Sequence, residues 1–249
     1  MRFVLFVSVL SLTFLTACEK KEDSCSNFIE VMADKETPAV GEDVTLSVSR
    51  QSDYDIYQWF GPDLNETTQS ETILLSDIQV SQRGWYYCTS GNTECNTALT
   101  DSVYVDVKLL QEPATCSPGN NTMTGSGIPD VVFDRVTKGL DPTWNGIALE
   151  ARGAFGYPGV EVLFNSYNGN KEPEDGVYIT RNIQSFSPLD EPNSISMSFI
   201  YASNYFHCEE GKKVYVKHVN GKLQVTFCDI FFASPPYPGS ECTGKITEL

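Results

Sequence analysis

Short segments in which apolar and polar residues alternate run through most of the chain. In the segment GEDVTLSVS, Val44, Leu46 and Val48 fall on one side and hydroxyl residues fall on the other. This period of two is the pattern of a half-buried β-strand. The sequence offers no amphipathic helix of useful length between these segments. It therefore predicts an all-β fold.

The clearest single element is the segment VYVKHVNGKLQVTF, which carries an Asn-Gly pair at 220–221. Asn-Gly between alternating strands is the strongest short-range signal for a hairpin with a two-residue type I′ turn. The turn sets the register, pairing Val219 with Lys222 and, further along, Val214 with Phe227. The apolar side chains of both strands then share one face, which predicts that this face is core.

The N-terminus has the pattern of a secretory signal peptide. One basic residue, Arg2, precedes an apolar stretch over 3–15 that is too short to be a good membrane-spanning helix. The stretch leads into Leu-Thr-Ala-Cys at 15–18, which resembles the lipobox of bacterial lipoproteins. That resemblance implies removal of residues 1–17 and a membrane anchor of diacylglycerol and a further acyl chain, such as palmitate, on Cys18. Two or three acyl chains hold a protein at a bilayer almost permanently.

A charged run, Glu-Lys-Lys-Glu-Asp at 19–23, follows the cysteine at once. It resembles the export tag that sends some Gram-negative lipoproteins to the outer face of the outer membrane. The resemblance implies a lipid-anchored, surface-exposed protein, with 18–24 as anchor and tether. A solvated spacer is the alternative interpretation.

The charge balance excludes one class of partner. The chain carries 33 acidic and 17 basic residues, a formal net charge of −16. Nucleic-acid binding needs a basic patch, so we expect no nucleic-acid partner. Beyond the signal peptide, no stretch is apolar enough to span a membrane.

Residues 25–110 resemble an immunoglobulin-like domain. The segment YQWFGP supplies Trp59 at the position of the family's buried strand-C tryptophan. The segment GWYYC supplies Tyr86 two residues before Cys88, the spacing of the tyrosine corner. Leu46 stands where the partner cysteine of the inter-sheet bridge is expected. The resemblance therefore implies that Trp59, Tyr86 and Cys88 are structural core residues and that Cys88 is a free thiol.

In that topology the start of the first strand and the F–G loop lie at the same end of the sandwich. The resemblance therefore implies a Cys25–Cys95 disulfide, with Cys88–Cys95 as the competing pairing. Trp85 and Tyr87 alternate with Tyr86 and so point away from the core. We interpret them either as a recognition surface or as packing across the sheet.

The segment LLQEPATCSPGNN is rich in Pro, Gly and polar residues, and it predicts a linker over 111–117. Seven strand-length segments follow over 118–249, without helices, and predict a second β-sandwich that is jelly-roll-like. Its last strands resemble those of uncharacterised lipoproteins.

The second half holds four cysteines, which allow three pairings. We favour Cys116–Cys242, which would join the two ends of the domain. Cys208–Cys228 would then brace the hairpin. Disulfides are expected because the chain is exported.

Motifs for catalysis are missing from the sequence. It contains only two histidines, His207 and His218, and has no G-x-S-x-G or H-E-x-x-H motif. We therefore predict no enzyme, no catalytic residue and no cofactor. The carboxylates Glu172, Glu174 and Asp175 could coordinate Ca²⁺, but we favour a solvated turn and predict no metal site.

Aromatic residues recur in loops of the second domain that are rich in Gly, Pro and Asn. Trp144 with Asn145, Tyr157, and Tyr167 combine flat apolar rings with nearby amides. Sugar-binding sandwiches use that combination, so these four residues are the candidate ligand contacts. Local packing of the loops is the alternative.

Taken together, these features predict a lipid-anchored, non-enzymatic protein of the outer membrane that acts in binding or adhesion. The layout resembles the surface glycan-binding lipoproteins of polysaccharide-utilisation systems, which implies a glycan partner. A structural role in an envelope complex, with a surface protein as partner, is the other alternative. The sequence predicts no oligomeric state.

Overall fold

The computed structural model describes residues 29–50, 56–92, 97–144, 146–165, 171–182, 193–201 and 204–249. The predicted signal peptide lies outside these residues. So do Cys18, Cys25, Cys95, Asn145 and Tyr167. The anchor, the Cys25–Cys95 bridge and these two candidate ligand contacts therefore stay predictions.

Two antiparallel sheets form the first unit. One has the strand order β1-β2-β5 and the other β4-β3-β6-β7. A single 3₁₀ turn, Val80–Gln82, leads into β6. The strands are β1 Ile29–Ala33, β2 Val44–Arg50, β3 Ile56–Gly61, β4 Leu64–Thr68, β5 Thr72–Leu75, β6 Gly84–Asn92 and β7 Thr97–Val105.

The core of this sandwich is built around Trp59 and Cys88, which face each other in the β3–β6 register and are fully buried. Leu46 is buried on the other sheet. Tyr86 is also buried, and its hydroxyl donates a 2.7 Å hydrogen bond to the Gln82 carbonyl, as in a tyrosine corner. Burial raises the pKa of the Cys88 thiol to about 12, so this free cysteine behaves as a small apolar side chain.

Eleven strands of the second unit form one continuous sheet. Its order is β10-β11-β12-β14-β13-β16-β17-β18-β8-β9, and β15 pairs with both β14 and β17. The strands are β8 Thr122–Gly125, β9 Val131–Val132, β10 Arg135–Asp141, β11 Gly146–Arg152, β12 Gly159–Phe164, β13 Gly176–Thr180, β14 Ser194–Tyr201, β15 Asn204–Cys208, β16 Lys213–Val219, β17 Lys222–Ser234 and β18 Tyr237–Thr247. The all-β fold class predicted from the sequence is confirmed.

This sheet folds back on itself. The pairings β14–β13, β13–β16, β16–β17, β17–β15 and β15–β14 form a closed ring of strands. The inner face of the whole sheet carries apolar, fully buried side chains, which include Val160, Val162, Met197, Phe199, Phe227 and Phe232. The opposite face of β10, β11, β12, β14 and β15 is therefore free to carry other chemistry.

The hairpin register predicted from Asn-Gly is confirmed. Val219 pairs with Lys222 and Val214 with Phe227. Asn220 and Gly221 both have positive φ, 53° and 77°, as a type I′ turn requires.

The predicted cysteine pairing in the second unit is wrong. The disulfide joins Cys116 to Cys228, whereas Cys208 and Cys242 are free and buried. The reason is a β-bulge in β17 between Phe227 and Ile230. A bulge re-aims side chains, so Cys228 is only half-buried, whereas Cys208 and Cys242 point into the core.

The two units meet through an ion pair. The Arg83 guanidinium, from the first unit, forms a bidentate pair with the Glu174 carboxylate of the second, at 2.7 and 2.9 Å. It also donates to the Val107 carbonyl at 2.9 Å and lies 3.3 Å from an Asp106 oxygen. Burial opposes the charge, but Glu174 and Asp106 raise the pKa of Arg83 above its ordinary value.

Backbone contacts extend this junction. The Val177 amide donates to the Leu110 carbonyl at 2.9 Å, and the Gln111 side chain donates to the Asp175 carbonyl at 2.7 Å. A Cβ added at Gly176 would lie 2.4 Å from the Leu109 Cβ, so the chains pack closely here. The predicted linker therefore begins in a segment that is hydrogen-bonded to the second unit.

Within the part of the chain that the structure describes, no helix is long and apolar enough to cross a membrane.

Candidate functional site

One row of paired residues crosses five strands on the outer face of the second unit. Arg135 of β10 pairs with Arg152 of β11, which pairs in turn with Gly159 of β12. Gly159 pairs with Ile200 of β14, and Ile200 pairs with Tyr205 of β15. Because side chains alternate along each strand, this row points away from the apolar core. We call these five residues the arginine–tyrosine row.

Gly159 makes room for an arginine in this row. A Cβ built at Gly159 would lie 2.6 Å from Nη1 of Arg152 and 2.9 Å from its Cδ. The Arg152 side chain therefore lies across β12 where any larger residue would displace it, and only 18% of it is exposed. Its Nη2 also contacts the Glu150 carboxylate at 3.2 Å.

An open cleft of about 250 Å³ is lined by four residues of the row, Arg135, Arg152, Ile200 and Tyr205. Gly156 and Tyr157, from the loop between β11 and β12, complete the lining. Tyr157 and Tyr205 are each about half exposed, at 50% and 53%. This volume is slightly below that of a typical small-molecule pocket and suits one ring of a longer ligand.

A second row runs beside the first, displaced by two residues along each strand. It pairs Glu150 with Glu161, Glu161 with Ser198 and Ser198 with His207. Burial and the neighbouring Glu150 charge raise the pKa of Glu161. The outer face thus offers acidic and basic groups side by side.

Ser198 and His207 form the one pair in this row that resembles catalytic chemistry. Ser198 Oγ lies 3.1 Å from His207 Nδ1, and burial lowers the pKa of His207. Ser198 is only 5% exposed, which leaves its hydroxyl little access from solvent. Among the described residues no carboxylate is hydrogen-bonded to the other ring nitrogen of His207, so the orienting acid of a triad is missing from them.

The candidate ligand residues from the sequence separate in the structure. Tyr157 lines the cleft. Trp144 does not, because its half-buried ring packs against Ala148 and Leu163 at the other end of the outer face. Its backbone amide donates to the Asp141 carboxylate at 2.8 Å, which fixes this turn.

Of the residues in and around the cleft, the sequence singled out only Tyr157 as a ligand contact. The row residues Arg135, Arg152, Gly159, Ile200 and Tyr205 were not among the candidates. Alternation along a strand gives the face of each residue only within that strand. The alignment of five strands into one row follows only from their register, which no local motif encodes.

A second exposed surface lies on the first unit. Trp85 and Tyr87 point away from the core, as predicted, with 52% and 41% of each exposed. The Trp85 ring contacts Tyr104 of β7 edge to face, with centroids 5.3 Å apart. These three residues form an aromatic patch on the β4-β3-β6-β7 sheet.

The carboxylates considered for Ca²⁺ bind cations of the chain itself. Glu172 contacts Lys138 at 2.6 Å and His218 Nε2 at 3.1 Å. Asp175 contacts His218 Nδ1 at 2.6 Å, and Glu174 holds Arg83. No cluster of three or more His, Cys, Asp or Glu residues is placed to hold a metal in the described ranges.

His218 lies between two carboxylates, which changes its titration. Burial lowers its pKa, but the hydrogen bonds to Asp175 and Glu172 outweigh burial and raise the pKa above the ordinary value. Burial acts in the opposite sense on Glu172, where Lys138 and His218 prevail and lower the pKa. This cluster is therefore a set of mutually satisfied charges.

No protein-family model matches the chain, and no curated protein matches it. Among solved structures, murine CEACAM1b is 12% identical, with 89% of this chain and 99% of that chain covered and a TM-score of 0.29. Mouse coronavirus receptor-binding domain complexed with its murine receptor is 10% identical, with coverages of 89% and 96% and a TM-score of 0.28. The three N-terminal domains of the bacteriophage RB49 outer capsid protein Hoc are 12% identical, with coverages of 88% and 98% and a TM-score of 0.29. Similarity at this level says nothing about the ligand.

Proposed function

We propose that the chain is a lipid-anchored, non-enzymatic binding protein of the outer membrane that presents the outer face of its second unit to a carbohydrate. The observation that carries this proposal is the cleft of the arginine–tyrosine row. It combines two half-exposed tyrosine rings with two guanidinium groups in one open concavity.

This lining suits the chemistry of a sugar. A pyranose ring has apolar C–H faces that stack on flat aromatic rings such as those of Tyr157 and Tyr205. Its hydroxyls both donate and accept, and they find donors in Arg152 and acceptors in Glu150 on the same face. Such mixed polar groups fix the orientation of a ligand in an otherwise apolar site.

The anchor in this proposal rests on the Leu-Thr-Ala-Cys segment that ends at Cys18. Replacing Cys18 by Ser should move the protein from the membrane fraction to the soluble fraction of the cell envelope. Protease added to intact cells should degrade the anchored protein. Protection from protease would rule out surface exposure and leave a periplasm-facing anchor.

Binding is tested on a glycan array with the chain that lacks residues 1–17 and carries Cys18→Ser. Tyr205→Ala should weaken the signal about fivefold, because stacking on an aromatic ring contributes about 1 kcal/mol per contact. Tyr237→Ala is the matched control, since Tyr237 is 50% exposed but does not line the cleft. No binding to any glycan, or equal loss in both variants, would contradict the proposal.

The aromatic patch of the first unit supports a second candidate function, adhesion to a protein partner. Trp85, Tyr87 and Tyr104 expose large rings, the residue type enriched at interface hot spots. Cross-linking on intact cells, with Trp85→Ala as the comparison, tests it. A partner captured equally by the wild type and by Trp85→Ala would exclude the aromatic patch as its binding surface.

A further inference from the structure

We infer that the cleft selects a sugar that carries a carboxylate, such as a uronic acid unit within a polysaccharide. This inference rests on the proposed function and specifies the ligand class of the same site. The observation behind it is the pairing of Arg135 with Arg152 in a chain whose net charge is −16.

Arg135 is the group that a neutral sugar would leave unused. It is exposed and forms no ion pair or side-chain hydrogen bond with any residue that the structure describes. A guanidinium is planar and presents a fork of N–H donors that matches both oxygens of a carboxylate. Because Arg135 lines the cleft, a ligand bound there lies within reach of that fork.

Arg152 supplies the second cation at closer range. One of its nitrogens, Nη2, is held by Glu150 at 3.2 Å, and Nη1 lies over Gly159. Glu150 thus fixes the orientation of Arg152 without surrounding it. The exposed Tyr157 and Tyr205 rings line the same cleft and can stack the sugar ring while its carboxylate meets the guanidinium groups.

The charge of the whole chain sharpens the expectation. An acidic protein repels anions at long range, so recognition of a carboxylate here must come from short contacts inside the cleft. We therefore expect a modest association rate and a strong dependence on Arg135.

The test uses the chain without residues 1–17, carrying Cys18→Ser, and calorimetric titration with an oligogalacturonate. The fully methyl-esterified oligosaccharide is the matched ligand, because it keeps the rings and removes the charge. The acid should bind about tenfold or more tightly than the ester, as expected for charge-assisted hydrogen bonds. Equal binding of acid and ester would overturn the inference.

Arg135→Gln should abolish that preference, whereas Lys217→Gln should preserve it. Lys217 is exposed and lies outside the cleft, so this control removes the same charge elsewhere. If Arg135→Gln still prefers the acid over the ester, Arg135 is not the group that recognises the carboxylate. Binding of a sulfated oligosaccharide without binding of the oligogalacturonate would overturn the inference.

Gly159→Ala tests the position of Arg152 without removing a charge. The added methyl group would displace the guanidinium and should weaken binding of the oligogalacturonate several-fold. Gly139→Ala on β10 is the matched control, since a Cβ there meets nothing within 4 Å. If Gly159→Ala does not fold, Arg152→Gln replaces it, and unchanged affinity in the folded variant would exclude Arg152 from recognition.

The two proposals fail in different ways. If neutral glycans bind as tightly as acidic ones and Tyr205→Ala weakens that binding, the carbohydrate function stands and the carboxylate inference is wrong. If neither acidic nor neutral glycans bind, the proposed function itself is wrong.

Discussion

Two arginine-containing clusters in this molecule have opposite character. At the junction, Arg83 is held by Glu174 at two points and by the Val107 carbonyl, and only 14% of its side chain is exposed. In the cleft, Arg135 is exposed without an ion pair among the described residues. The same side chain therefore serves structure where its donors are satisfied, and is available to a ligand where they are not.

The acidic residues follow the same division. Glu172 pairs with Lys138 and Glu174 with Arg83, while Asp175 contacts the His218 ring. Glu161, on the outer face, is half-buried, and its pKa is raised by burial and by Glu150. Clusters of satisfied charges are expected to contribute to stability, and clusters with unsatisfied groups to binding. Four predictions test this difference, from the largest expected effect to the smallest.

The Cys116–Cys228 disulfide closes a loop with a sequence separation of 112 residues next to the junction. The double variant Cys116→Ala, Cys228→Ala should lower the free energy of unfolding by about 2–5 kcal/mol, measured in urea. Affinity at the cleft should be unchanged while the protein is folded. The single variant Cys242→Ala should retain the disulfide. Loss of the disulfide in this variant would favour the Cys116–Cys242 pairing instead.

Arg83→Ala should lower the free energy of unfolding by about 2 kcal/mol. The change leaves Glu174 without its cation and the Val107 carbonyl without a donor. The expected value is below that of a fully buried pair because Glu174 is 44% exposed and water screens it. Urea unfolding with Arg83→Lys as the comparison separates the effect of the bidentate geometry from that of the charge. An unchanged midpoint in both variants would show that Arg83 does not stabilise the junction.

His218→Gln should change stability only within a range of pH. Because the folded pKa of His218 is raised above 6.5, the protonated ring stabilises the fold below pH 6.5, and this contribution is lost as the pH rises through the folded pKa. Glu172 has a lowered pKa, so its contribution is present above pH 4.5 and is lost as the pH falls through the folded value.

The free energy of unfolding of the wild type should therefore exceed that of His218→Gln most between pH 4.5 and 6.5. The difference should be at most about 1 kcal/mol, the size of a partly exposed ion pair. Thermal unfolding across pH 4 to 9 measures it, with His207→Gln as a comparison of opposite sign, because burial lowers the pKa of His207. A difference that grew above pH 7 would contradict the sign of this linkage.

Arg135→Ala should change the free energy of unfolding by less than about 0.5 kcal/mol, because its side chain makes no ion pair to lose. Urea unfolding beside Arg83→Ala gives the comparison directly. A loss as large as that of Arg83→Ala would mean that Arg135 is structural, and the contrast between the two clusters would fail.

The sequence predicted well where one segment carries the whole signal. The hairpin register follows from Asn220-Gly221 and the alternation on either side of it, and all of that information is local. The burial of Trp59 and Cys88 agrees with what the resemblance to an immunoglobulin-like domain implies. The disulfide prediction failed because a bulge at Cys228 changed the direction of one side chain, and alternation alone assumes a regular strand.

The sequence by itself determined the all-β class, the Asn-Gly turn, the acidic character of the chain and the candidate anchor at Cys18. Each of these depends on neighbouring residues or on composition, which folding does not alter. Only the tertiary structure decided that Arg135, Arg152 and Tyr205 share one cleft, and that Cys116 bonds to Cys228. Those contacts depend on the register of strands far apart in sequence, and register is set by the packing of the whole sheet.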